Sequence, residues 1–168
     1  KKGSPERFAV QVYDNEFNEL WTKDITLPYN DNRYSVEEYK IDNQGNVYLV
    51  GVIYQDRNRT RRQGLPTYQY NVLTYTQGGG EAEEYKINIG EKFVTDLTLR
   101  PDNKGELVCA GFFSEKSSYS IKGTFFFRLD PIAKEMKNKN LREFEFEFLT
   151  EFMSQGQANR ARRQEERG

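Results

Sequence analysis

Four arginines, Arg57, Arg59, Arg61 and Arg62, fall within the ten residues QDRNRTRRQG (55–64). A guanidinium is a rigid fork of donors that stays charged, so such a cluster can clamp phosphates or carboxylates through paired hydrogen bonds. Stacking of single-stranded bases would need aromatic residues between the arginines, and none is there. The stretch reads as a solvated insertion or as a loop for protein contact. Asn58-Arg59-Thr60 within it matches the glycosylation sequon, which matters only in a chain that passes through a glycosylating compartment. A second set, Arg160, Arg162 and Arg163, lies in the polar run NRARRQEERG (159–168), which has no face to bury. These seven arginines are the candidate binding residues.

Catalytic chemistry has little to draw on. The chain contains no histidine, which removes the commonest general base, the commonest zinc ligand and the usual partner of a Ser or Cys nucleophile. Two acids at a fixed separation would suffice for glycoside hydrolysis, and Asp42 and Asp102 could be proposed, but both stand in turn sequences where Asp bonds its own backbone. The oxygen-rich DNQGN (42–46) carries too few acids at regular spacing for a calcium loop. The glycine-rich QGGGEAE (77–83) lacks the Lys and Ser or Thr of a phosphate-binding loop and reads as a hairpin turn. Cys109, the one cysteine, sits in an apolar run and reads as a small core residue. The expectation is a non-enzymatic chain with no catalytic residues, no metal site and no cofactor.

With 25 basic against 26 acidic residues there is no net field to attract nucleic acid or an anionic membrane, and neither is expected as a partner. No run approaches the roughly 18 apolar residues that a membrane helix needs. The opening KKGSPERF has neither Met nor the apolar core of a signal peptide, as in a mature, trimmed or internal piece of a longer chain. A length of 168 residues suits one folding unit, and 14% aromatic content dominated by Tyr and Phe favours strands.

These strands come in repeated sentences. DNQGNVYLVG (42–51) is echoed by DNKGELVCAG (102–111), matching Asp42 with Asp102, Gly45 with Gly105 and Gly51 with Gly111. VEEYKI (36–41) aligns before the first as VTDLTL (94–99) does before the second, leaving Arg100 and Pro101 as an expected loop insertion. Each copy reads as strand, tight turn, strand, with Gly51 and Gly111 expected to mark a bulge or a close backbone approach. A second hairpin precedes each: FAVQVYDNEFNELWTKDITL (8–27) matches YNVLTYTQGGGEAEEYKINI (70–89), and a third start appears at TFFFRLDPIAKEM (124–136). The aromatics Tyr48, Tyr54, Tyr75, Phe112, Phe113 and Phe125 to Phe127 are expected mainly in packing.

Four strands per unit of about 60 residues is the build of a propeller blade. The DNQGNVYLVG hairpin resembles the D-x-x-G-N-x-Y-x-x-G hairpin of bacterial β-propeller repeat families, among them the SBBP-type repeats of cell-envelope and secreted proteins, fully at 42–51 and partly at 102–111. The resemblance implies an all-β, β-propeller-like region over residues 1–147, of about two and a half four-stranded antiparallel blades, forming part of a larger propeller. Residues 148–168 are expected as a helical, charged tail, after a last strand running to about 146. The implied function is a protein-binding or scaffold module of a periplasmic, cell-surface or secreted protein, with another protein or the remaining blades as partner. A carbohydrate-binding or carbohydrate-active domain using Tyr, Phe and carboxylates is the alternative.

Overall fold

The computed structural model describes residues 3–56, 58, 61–63, 65–76, 81–115, 121–151 and 153–165. Antiparallel strands dominate. β1 (Pro5–Tyr13) and β2 (Glu19–Asn30) form a hairpin. β3 (Tyr34–Ile41) and β4 (Val47–Tyr54) continue, through a small ribbon of β5 (Arg61–Arg62) and β6 (Leu65–Pro66), into β7 (Tyr68–Tyr75) and β8 (Glu83–Lys86). β3, β4, β7 and β8 make a four-stranded sheet in chain order, and β9 (Phe93–Pro101), β10 (Leu107–Ser114), β11 (Gly123–Asp130) and β12 (Glu135–Glu143) make a second.

Strand pairing register recurs along the chain at offsets of 62 and 60 residues. In the first hairpin Ala9, Val10, Gln11 and Val12 face Asp24, Lys23, Thr22 and Trp21; 62 residues on, Asn71, Val72, Leu73 and Thr74 face Lys86, Tyr85, Glu84 and Glu83. Likewise Leu49 pairs with Tyr39 and Val47 with Ile41, while Cys109 pairs with Leu99 and Leu107 with Pro101, a shift of 60 throughout. Arg100 and Pro101 are therefore the end of β9 and not a loop insertion: the equivalents of Tyr39 and Ile41 are Leu99 and Pro101. The aligned apolar letters had absorbed a difference in bulge position, which falls between Val36 and Glu38 in β3 but between Phe112 and Phe113 in the β10 ladder.

Alternation along the strands then builds three layers. In β4, Val47 and Leu49 point to one face and Tyr48 and Val50 to the other, and all four are buried. Val47 and Leu49 join Leu73 and Tyr75 against Val12, Trp21, Ile25 and Leu27 of the hairpin. Tyr48, Val50 and Val72 meet Leu97, Leu99, Cys109, Phe125 and Phe127 of the second sheet. The middle sheet is thus apolar on both faces, and each fully buried side chain of this size contributes about 1.5–3 kcal/mol. Phe113, Phe125 and Phe127 are buried whereas Phe112 and Phe126 are not, which is the period of two expected of strands.

Gly51 and Gly111 make room within their strands. A Cβ on Gly51 would lie 1.9 Å from the Tyr34 hydroxyl, and one on Gly111 would lie 2.0 Å from the Asp96 carbonyl. Tyr34 fills the space above Gly51, stacks on Tyr29 at 5.1 Å and donates to Asn71 Oδ1 at 2.9 Å. Asn71 Nδ2 in turn donates to Glu84 at 2.7 Å, as does the Tyr29 hydroxyl at 2.6 Å, so a closed polar network ties β2 to the middle sheet. Trp21 adds a bond from its indole N–H to the Gly45 carbonyl at 2.9 Å.

The C-terminal segment breaks earlier than expected. β12 ends at Glu143, and the helices are two, α1 (Phe146–Glu151) and α2 (Gln155–Glu165). Gln157 accepts from the Ser154 backbone N–H at 3.1 Å, the reach-back of a Ser-x-x-Gln capping box that starts α2 afresh. Among the described residues no helix is long and apolar enough to cross a membrane.

Candidate interaction site

The strand ends fall into two sets of different chemistry. At one end lie short turns opened by an aspartate. Asp42 Oδ1 accepts the backbone N–H groups of Gln44 and Asn46 at 2.8 and 2.9 Å, and Asp102 Oδ1 accepts those of Lys104 and Glu106 at 2.8 and 3.0 Å. Gly45 and Gly105 follow with φ of 80° and 81°. The same pattern stands at Asp14, whose Oδ1 accepts from Glu16 and Asn18 at 2.8 and 2.9 Å, but there Phe17 holds the left-handed position with φ 63°. The sequence signal for this turn had been glycine, so the third copy was hidden by its phenylalanine.

These aspartates are structural and ionised. Burial works against the charge on Asp42, yet donors from Asn46, Tyr48 and the backbone outweigh it and hold the carboxyl below its ordinary range. At Asp102 the Lys104 backbone N–H leads, with Glu106 N–H and Arg128 adding, to the same effect. Arg128 bonds Asp102 at 2.7 Å and Glu106 at 3.2 Å, and Lys137 reaches Glu106 at 3.2 Å. The tips of the two equivalent turns touch, Asn43 Nδ2 donating to Asn103 Oδ1 at 3.2 Å. Nothing in this arrangement leaves Asp42 or Asp102 poised as a general acid, since both carboxylates are occupied as backbone acceptors.

β4, β10 and β12 finish at the opposite end, at the pairs Tyr54–Tyr68, Ser114–Phe93 and Gly123–Glu143. Arg57 and Arg59 lie outside the described residues. Arg61 and Arg62 form β5, and Arg62 is exposed. Arg160, Arg162 and Arg163 are exposed on α2, and Arg162 borders a groove between the helices lined by Glu147, Thr150 and Met153. Arg61 and Arg62 follow β4, and α2 follows β12, and both of these strands finish at this end. Close by, Lys92 bonds Glu143 at 2.7 Å and also Glu115, with its ammonium 5.4 Å above the Phe113 ring. Cys109 is fully buried, and burial pushes its thiol up to about 12, which makes it inert packing.

A third surface was not legible in the sequence. A groove of about 690 Å³ runs between β1 and the exposed edge of β3, lined by Phe8, Val10, Val36, Tyr39, Ile41 and Leu49 among others. Tyr39 is 75% exposed and Ile41 53% exposed on this face. Only the extent of the layer above decides whether such side chains are covered. No protein-family model matches the chain, and comparison with curated proteins and with solved structures yields no match.

Proposed function

We propose that this chain is a non-enzymatic protein-binding or scaffold module of β-propeller-like build, with about two and a half four-stranded blades, belonging to a bacterial periplasmic, cell-surface or secreted protein. The observation that carries the reading is the stack: two four-stranded meanders of equivalent register, face to face, with a third hairpin in the same register on the far side. β9, the first strand of its sheet, approaches β3, β4 and β7 of the other, as inner strands do when blades radiate from an axis. Propellers close with four to eight blades, so the remaining blades are one class of partner and a docked protein is the other. A rigid stack of this kind presents its loops at fixed positions, and the arginine-bearing end supplies forked donors for acidic groups on a partner.

The test is affinity capture from the native cell extract, with bound proteins identified by mass spectrometry. It compares the chain with two variants, one carrying Ala at Arg57, Arg59, Arg61 and Arg62, the other at Arg160, Arg162 and Arg163. A partner held by the parent and lost from at least one variant of unchanged Tm is the expected outcome. Retention by both variants would refute the arginine assignment. An empty capture with consistent binding to one sugar class on a glycan array would favour the carbohydrate reading instead.

A further inference from the structure

The same repeat position is buried in one sheet and bare in the other. Leu99 in β9 is 2% exposed, while its equivalent Tyr39 in β3 is 75% exposed. Leu99 is covered because the layer against it is a complete four-stranded sheet whose first strands, β3 and β4, lie over β9; Glu38 of β3 even accepts the Thr98 hydroxyl at 3.1 Å. Tyr39 faces a layer of only two strands. By register these two, β1 and β2, are the equivalents of β7 and β8, the third and fourth strands of a sheet. In the complete sheet β4 pairs along the edge of β7, whereas among the described residues β1 pairs with β2 alone. The groove of about 690 Å³ occupies the place where the equivalents of β3 and β4 would lie.

We infer that the free edge of β1 and the Val36–Tyr39–Ile41 row of β3 form one docking surface for an antiparallel β-hairpin with alternating apolar residues, of the chemistry of Tyr34–Tyr54, which adds to β1 as β4 adds to β7. Main-chain bonds along β1 give the hairpin its place, and two of its side chains, standing where Tyr48 and Val50 stand in the middle sheet, fill the groove. The groove continues the apolar cluster already formed by Val12, Trp21, Leu49 and Leu73, so the added strands extend an existing interface. The inference rests on the stacked-blade reading.

The experiment joins a second copy of residues 34–67 directly ahead of Glu6, the position 62 residues before Tyr68, and follows amide hydrogen exchange in the full chain. The expected result is exchange slowed by more than about 100-fold in the added strands and along β1, with a higher Tm. Changing the copies of Tyr48 and Val50 to Lys should abolish that protection. Free exchange in the added segment, with β1 and β2 protected from each other as in the parent, would overturn the inference and leave the stack intact. Protection that survives both Lys changes would overturn it too, since the groove would then not be what holds the hairpin. Concentration-dependent protection of β1 in the parent would show a second copy of the chain on this edge and likewise overturn it. If β1 and β2 exchange freely in the parent, the stacked reading fails and this inference falls with it.

Discussion

Three hairpin turns share one hydrogen-bond pattern and differ at one position: Gly45 and Gly105 in two of them, Phe17 in the third. A left-handed backbone costs a non-glycine residue about 1–2 kcal/mol. Glycine loses more freedom on folding, which returns about 0.5–1 kcal/mol of that difference. Phe17 is 87% exposed, so replacing it removes little packing. Phe17→Gly should therefore stabilise the chain by about 0.5–1 kcal/mol. The reverse change has an equally clean site, because a Cβ on Gly105 would meet nothing within 4 Å. Gly105→Ala should destabilise by a similar amount for conformational reasons alone. With a urea m-value of about 2 kcal/mol/M, the midpoints should move by about 0.3–0.5 M in opposite directions at constant m. A lowered midpoint for Phe17→Gly, or shifts of the same sign in the two variants, would refute the turn argument. The first would also mean that the Phe17 ring holds a contact worth more than its backbone strain.

Gly51→Ala should cost about 1–3 kcal/mol, because its Cβ would drive into the Tyr34 ring and break the Asn71–Glu84 network, and thermal unfolding measures this directly. Asp42, Asp102 and Asp130 are all held below the ordinary carboxylate range, so the folded chain favours their ionised forms. Their contribution is complete above the unfolded value of about 3.9 and is lost as pH falls through the lower folded values. Unfolding midpoints should accordingly be flat down to about pH 4–5 and fall below it. Asp42→Asn should flatten part of that fall and cost about 1.5–3 kcal/mol at neutral pH, where its charge-assisted bonds are lost; an unchanged acid limb would exclude Asp42 as a source.

What the sequence determined by itself is what local chemistry and strand period determine. An aspartate followed three residues on by glycine closes a turn through its own backbone, and the turns at 42–46 and 102–106 formed where those letters stood. Aromatic content assigned Phe112, Phe113 and Phe125 to Phe127 to packing as a group, of which Phe113, Phe125 and Phe127 are buried and Phe112 and Phe126 are not, while Gly51 and Gly111 stand at close approach as expected. Where the local signal was absent or shared, tertiary structure decided. Phe17 adopts a glycine conformation because the aspartate bonds and strand pairing around it fix the turn. The matching of β3 to β9 was misplaced by two residues, since a bulge shifts register without changing the apolar pattern. The tail split into two helices at Ser154, where Gln157 reaches back to cap the start of the second. Tyr39 and Leu99 hold one position in one repeat, yet one is bare and the other buried. Periodicity tells a side chain which face it shares with its neighbours; whether another sheet lies on that face is a property of the stack, and no residue within the strand encodes it.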